Sequence, residues 1–271
     1  MRESRRSQKP TFEPTCVYHA RLLLGSFMRF LFFFCALFQA AFAIERRDEP
    51  LNMKMSVIVP CHADHFHFLQ NLLTEFEHQT VFPDEIVISV SEAFKIASFA
   101  ELEGKKWPFA LKILKHQRSF LPGRNRNEAC ACATGDVFIC QDADDLPHPQ
   151  RVEIVKYLFE NYHVDHLLHQ WIYSHEKFTP CAIEQLEQRC SSFRSYDLVD
   201  IPFVHNGSAS FIRSIFDKVH WSARGIHEDV LFNRAAYSQS KYHIVLQVPL
   251  LMYRFELSTF DLDGNKPKKT M

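Results

Sequence analysis

The stretch FICQDADDLP, Phe138 to Pro147, places three carboxylates, Asp142, Asp144 and Asp145, directly behind the apolar run Val137-Phe-Ile-Cys140. A β-branched and aromatic run of this kind reads as a buried strand. Like charges crowded at its end repel, and each raises its neighbours' pKa. A core strand that ends this way points to a cation nearby. Aspartates at i, i+2 and i+3 on a loop suit one hard divalent ion, because Mg²⁺ and Mn²⁺ take oxygen ligands and often combine one or two carboxylates with phosphate oxygens. The plainer reading is a solvated acidic turn in which Asp145 caps the helix that follows Pro149.

Working outward, strands and helices alternate from Met55 onward. Met55 to Pro60, Glu85 to Val90, Ala110 to Leu114 and Asp136 to Cys140 read as four strands. Between them, Phe66, Leu69, Leu72, Leu73 and Phe76 recur at helical spacing, which predicts a helix over residues 65–78. Asn125 to Ala133 reads as a small-residue helix closed by Gly135 as its C-cap. Gln150 to Asn161 and Glu228 to Tyr237 read as further helices, and Tyr242 to Leu246 as a late strand. Alternation of this kind implies βαβ crossovers and an α/β fold with a mainly parallel central sheet flanked by helices. Ligands of such sheets bind beyond the carboxyl ends of the strands, where the three aspartates lie.

Composition narrows the classes. With 46% apolar residues the chain can bury a sizeable core, and a formal charge of -1 gives no bias toward nucleic acid. No GxxxxGK[ST] or GxGxxG occurs, so a P-loop or a glycine-rich dinucleotide fingerprint is excluded. No CxxC pair suggests a zinc site; Cys130, Cys132 and Cys140 read as small buried hydrophobes, while Cys181 and Cys190 suit a bridge in an oxidising compartment.

The N-terminus reads as an address. An apolar run from Phe30 to Ile44 follows Arg29 and closes on Ala41-Phe42-Ala43, a small-x-small pattern. It is shorter than the roughly twenty residues that span a bilayer, which favours a cleaved signal. An uncleaved anchor, and membrane association through residues 22–44, stays open if Arg29 snorkels. Met28 would serve as an alternative start. The expected organisation is a signal or anchor plus linker over 1–49, one domain over 50–260, and a polar tail over 261–271. The expected location is the secretory pathway or a membrane surface.

Three other stretches bear on chemistry. Pro122-Gly-Arg-Asn-Arg-Asn127 opens a helix with groups suited to phosphate or carboxylate, or forms a basic surface turn. Glu228 and Asp229 either favour a helix N-terminus through the macrodipole or supply a general base. His205-Asn-Gly-Ser-Ala-Ser210 is a polar turn between apolar runs, readable as a site lining; Asn206-Gly-Ser208 is also formally a glycosylation acceptor.

Together these stretches, from about Met55 to Tyr237, resemble the family 2-like glycosyltransferases of GT-A fold. SVIVP followed by LLTEFEHQT is similar to that family's first strand and helix, and ACATGDVFICQDADD is the strongest match. The resemblance implies that Asp142 and Asp144 form the DxD element that binds a divalent metal, Mn²⁺ or Mg²⁺, and that Asp142 also meets the donor diphosphate. Arg126-Asn127 corresponds to the phosphate-side residues. Glu228-Asp229 is similar to the later Glu-Asp motif, whose aspartate is the catalytic base. Pro60, Ser89 and Ser91 are implied on the donor side. Here the second strand departs from the pattern: it runs Ile88-Ser-Val-Ser-Glu92 where the family carries two aspartates. The implied activity is inverting transfer of one sugar from a nucleotide-sugar, UDP- or GDP-linked, to a hydroxyl of a glycan, lipid or protein. Nucleic acid is not an expected partner. A non-catalytic glycan- or nucleotide-binding relative is the alternative. A nucleotidyltransferase would be expected to carry a glycine-rich phosphate loop, which Pro60-Cys-His-Ala-Asp64 is not. A phosphohydrolase would use Asp142 as nucleophile and release phosphate.

Overall fold

Side chains alternate along a strand, so Val57 and Val59 leave the first strand on one face and Ile58 on the other. Both faces are covered in the computed structural model, which describes residues 44–192, 205–222 and 227–257. Strands β1 (Met55–His62), β2 (Glu85–Ser91), β3 (Ala110–Lys115) and β4 (Val137–Cys140) run parallel in the order β3-β2-β1-β4. Beyond β4 the sheet turns mixed. Strand β8 (Ala209–Ile212) pairs antiparallel with β4, and β6 (His166–Tyr173) antiparallel with β8. Strand β9 (His243–Tyr253) runs parallel to β6, and both the two-residue β5 (Leu146–Pro147) and β7 (Cys190–Ser192) pair antiparallel with β9. The result is an α/β fold around a nine-stranded, largely parallel sheet.

Helices α1 (Leu69–Glu77) and α3 (Arg151–Asn161) cover one face, burying Leu72, Leu73 and Phe76 and Val152, Val155 and Leu158 against Val57, Val59, Ile86 and Ile139. Helices α2 (Pro122–Cys132) and α4 (Glu228–Gln239) cover the other, where Ala129, Cys130 and Phe232 pack with Ile58, Val87, Phe138 and Phe211. The small residues of α2 let it approach the sheet closely. That explains why its hydrophobic pattern is weak in the sequence.

Several boundaries differ from the sequence reading. The first helix begins with a 3₁₀ turn, Ala63–Phe68, started by the His62 ring accepting from Asp64 N. Helix α2 starts at Pro122, a proline suited to a first turn. Gly135 does not cap it, since Ala133 already ends the helix in extended conformation. Gly135 is instead a point of close approach: a Cβ there would lie 2.4 Å from Ser56 Oγ and 2.9 Å from Lys54 O. Strand β9 continues past Leu246 to Tyr253, and β5, β6, β7 and β8 are additional to the strands that the sequence pattern gives.

Residues 44–54 are no free linker. Arg46 bridges Tyr162, Arg47 N donates to Asn161 O (2.8 Å), and Leu51 N donates to Glu160 O (2.9 Å), so this segment is strapped along the end of α3. The six cysteines in the described residues are free thiols, and no Cys181–Cys190 bridge is present. The signal or anchor within residues 1–43 and the tail over 261–271 lie outside the described residues. No helix among the described residues is long and apolar enough to cross a membrane.

One buried carboxylate ties the parallel half together. Glu85, 3% exposed, accepts from Ser56 Oγ (2.6 Å) and Thr134 Oγ1 (3.0 Å) and pairs with Lys112 Nζ (2.7 Å). Burial alone would raise its pKa, but Lys112 and these donors outweigh burial and bring it from 4.5 to about 2. The folded carboxyl therefore binds its proton less readily than the unfolded one. Its stabilisation is complete above pH 4.5 and is lost as pH falls through 2. Glu85→Gln is expected to lower stability at neutral pH and to flatten the acid limb between those values, as read from urea midpoints against pH. Parallel curves for variant and wild type would remove Glu85 from this role.

Candidate functional site

Parallel strands end together, and the carboxyl ends of β1 and β4 open onto a cleft of about 410 Å³. Its walls include Pro60 and His62 from β1, Asn125 and Arg126 from α2, Asp142 to Asp145 from the loop after β4, and His205 and Tyr253. The loop acids face the cleft because β4 is only four residues long and breaks off at Cys140, turning the chain before the sheet covers it.

Arg126 holds the floor. It is 3% exposed and forks between two carboxylates, Nη2 to Asp142 Oδ1 at 2.5 Å and Nη1 to Glu228 Oε1 at 2.7 Å. Such a fork suits a planar guanidinium. Burial works against ionisation of all three groups. The paired charges hold Arg126 firmly protonated, and beside Arg126 the Asp142 carboxyl stays below its usual range. Glu228 goes the other way, raised by burial despite Arg126. Its second oxygen accepts from Gly123 N (3.0 Å), at the opening of α2. Arg126 is thus engaged by carboxylates rather than aimed into open space.

The remaining acids are under strain of a different kind. Asp145 is 1% exposed; Oδ1 accepts from Arg254 N (2.9 Å), while Oδ2 is buried without a hydrogen-bond partner. Burial, then Asp144 and Asp142, push its pKa well above the usual carboxylate range. Asp145 does not cap α3. Asp144 is raised by burial and by Asp142, and its Oδ2 lies 3.6 Å from His65 Nδ1. Across the cleft, His205 Nε2 stands 3.6 Å from Asp142 Oδ2 and 4.0 Å from Asp145 Oδ2. Gly207 N donates to His205 Nδ1 (3.1 Å), so the neutral ring carries its proton on Nε2.

Asp142, Asp145 and His205 offer ligand atoms that all fall within 4.8 Å of one another. An oxygen-rich set with one imidazole, containing a buried carboxylate oxygen with no partner, fits a divalent cation. Among the described residues it is the set that converges, and Asp144 is not a member.

The other residues singled out in the sequence are placed as follows. Pro60 lines the cleft. Ser89 and Ser91 are fully buried behind Asn125, with Ser89 Oγ donating to Asn125 Oδ1 (3.0 Å) and Asn125 Nδ2 to Ser91 Oγ (3.2 Å). Asn127 is committed to the backbone of Trp221 in both directions. Asp229 begins α4, where its Oδ1 accepts from Val230 N (2.8 Å), and it does not line the cleft. Asn206 is 5% exposed and bonded to Trp221 Nε1 (2.9 Å), so the folded domain does not present it for glycosylation. The sequence reading had the turn at His205 as lining but did not single out the imidazole. For Asp145 the sequence offers two readings, a third carboxylate toward one cation or a helix cap, and the structure places it with Asp142 and His205 rather than at the start of α3.

The glycosyl transferase family 2 profile matches residues 56–220. The chain belongs to glycosyl transferase family 2. Among solved structures it is similar to Staphylococcus aureus TarS 1-349 in complex with UDP, at 19% identity and TM-score 0.56, covering 74% of this chain and 60% of that one. It is similar to the mannosyltransferase PcManGT of Pyrobaculum calidifontis in complex with GDP-Man and Mn²⁺, at 15% identity and TM-score 0.54, over 83% and 64%. It is also similar to glucosyl-3-phosphoglycerate synthase of Mycobacterium tuberculosis in complex with Mn²⁺, UDP and phosphoglyceric acid, at 14% and 0.52, over 75% and 71%. These likenesses establish the fold, and the chain spans about 60% of the TarS fragment. No curated protein sequence matches.

Removing the buried cation tests the floor of this family 2 site. Arg126→Met leaves Asp142 and Glu228 facing each other without their counter-charge. It is expected to destabilise the domain by about 3–5 kcal/mol in urea unfolding, the cost of breaking a buried pair. Adding Glu228→Gln should recover part of that loss. A loss below about 1 kcal/mol, the range of exposed pairs, would show that water reaches the fork.

Proposed function

We propose that this protein is a nucleotide-sugar-dependent, metal-assisted, inverting glycosyltransferase that moves one sugar to an acceptor hydroxyl. The observation that carries this is the meeting of Asp142, Asp145 and His205 in the cleft at the carboxyl ends of β1 and β4, in a chain of family 2. Support for the donor class comes from the relatives: TarS was solved with UDP and with UDP-GlcNAc, and PcManGT with GDP-Man and Mn²⁺.

Asp142, Asp145 and His205 would hold the divalent cation, Mn²⁺ or Mg²⁺. When bound, that cation supplies positive charge to offset the charge developing on a leaving diphosphate. To serve as a ligand through Nε2, His205 would need the Nδ1–H tautomer and would release the bond from Gly207 N. Arg126 keeps Asp142 ionised and orients it. Pro60, His62 and Asn125 close the side toward β2.

For the base, the two neighbouring carboxylates differ in what they are free to do. Both Glu228 oxygens are engaged, by Arg126 and by Gly123 N. The Asp229 carboxylate accepts from Val230 N and, among the described residues, from no side chain; Asn233 Nδ2 donates only to its backbone O. On that freedom and on the Glu-Asp motif, and although it lies outside the cleft lining, Asp229 is assigned the acceptor hydroxyl's proton as the oxygen attacks the anomeric carbon from the face opposite the diphosphate. Glu228 holds Arg126 in place.

Calorimetry with UDP and GDP, with and without Mn²⁺, tests the donor reading. One nucleotide should bind only with the metal, and Asp145→Ala should abolish that binding. Binding of neither nucleotide to the folded wild type would overturn it. General-base help is typically worth ~10²–10⁴ in rate, so Asp229→Asn should lose that much kcat in nucleotide-release assays with nucleotide affinity unchanged. Undiminished turnover would take the base role from Asp229.

A further inference from the structure

Beneath the cleft lies a second buried arginine that neither the ion-pair floor nor the cation set uses. Arg151 opens α3, is fully buried, and has no carboxylate within 4.0 Å among the described residues. A guanidinium so placed is expensive unless its hydrogen bonds are made. Arg151 makes three. Nη2 donates to Cys140 O at 2.7 Å and also to Gly207 O, and Nη1 donates to Gln141 Oε1. Its Nε is left without a partner. Burial lowers its pKa to about 10, so it remains a cation at neutral pH. An apolar side chain would leave no unmet N–H but would strip Cys140 O, Gly207 O and Gln141 Oε1 of their donor, so the arginine is kept by the acceptors it joins.

What its bonds join explains it. Cys140 and Gln141 lead into the loop that carries Asp142 and Asp145, and Gly207 belongs to the turn that carries His205. Gln141 passes the constraint on: its Nε2 donates to Asp142 O (3.0 Å) and Asp145 O (3.1 Å). One side chain thereby fixes two segments far apart in sequence, at Cys140–Gln141 and at Gly207, whose side chains must converge. We infer that Arg151, acting through Gln141 and Gly207, is a positioning residue that holds Asp142, Asp145 and His205 at cation-binding separation. This rests on the cation site proposed above. Groups that orient metal ligands typically change affinity 10–100-fold when removed.

The test uses Mn²⁺ alone, titrated into the full chain and followed by the loss of free-Mn²⁺ electron paramagnetic resonance signal, beside melting temperature in EDTA. Arg151→Lys keeps a cation but cannot fork to three acceptors. It should weaken Mn²⁺ binding by about 10–100-fold. Gln141→Met leaves Arg151 its two carbonyl bonds, preserves the fold, and should weaken binding in the same direction. Val152→Ala, one residue along α3 in the core, should lower the melting temperature with Mn²⁺ affinity unchanged. If the Arg151 and Gln141 variants lower only the melting temperature, as Val152→Ala does, Arg151 is structural and the inference fails. If Arg151→Lys does not fold, Gln141→Met decides alone. Wild-type protein that binds no Mn²⁺ would remove the cation site itself, and the inference with it.

Discussion

Three carboxylates must share the mouth of one buried strand, and the site is organised around keeping them there. At close range in a partly desolvated cleft their repulsion is far stronger than in water. The chain answers each one separately. Asp142 is met by Arg126, Asp144 lies near His65, and Asp145 takes the backbone N–H of Arg254 on one oxygen while the other is left without a partner. The result is a graded set rather than three equivalent acids. Asp142 is held ionised, and Asp144 and Asp145 are biased toward their protons. The unpartnered Asp145 oxygen is what the cation proposed for this cleft would meet.

The same constraint explains why distant elements converge. Helix α2 supplies Arg126, α4 supplies Glu228 to share it, and the turn before β8 brings His205 opposite the loop. Strand β8 sits beside β4 in the sheet, so the turn at His205 and the loop at Asp142 leave neighbouring strand ends. Antiparallel pairing brings the start of β8 to the end of β4. That register, Ile139 opposite Ser210, is what makes a contact between residues so far apart in sequence local in space. It also gives Arg151 its reach, since Gly207 O and Cys140 O both come within one guanidinium.

The parallel half was legible because its signals are local. Short, largely apolar runs bounded by proline or polar residues give β1 to β4, and a clear apolar stripe gives α1. The mixed half was not. Strand β6, HLLHQWIY, breaks its apolar run with His169 and Gln170, and β8 has only four residues. Both are held by pairing rather than by propensity. In the site, the acidic loop and Arg126 were readable from composition. The partners were not: of the phosphate or carboxylate groups that suit Arg126, the fold supplies carboxylates, and the ligand atoms within 4.8 Å of one another include Asp145 and His205 because separation, not motif spacing, decides which atoms meet. Arg151 carried no signal at all, being one charged residue at the start of an amphipathic helix.

The altered second strand can be weighed on the same terms. Two serines stand where the family pattern resembled here places acids, and each is satisfied by Asn125 from α2. Asn125 Nδ2 also donates to Cys61 O (3.2 Å), which stitches β2 and β1 together at their carboxyl ends. The polar end of β2 is therefore closed internally, and Asn125 itself faces the cleft. Beside it, Glu92 adopts a left-handed backbone, φ 54°, and its carboxylate meets His62 Nε2 at 2.8 Å. That wall is built from an amide and an imidazole already engaged within the protein, in place of free carboxylates. A further acid there would have added to the repulsion that already governs the floor. The substitution thus keeps the cleft's negative charge where a cation can use it.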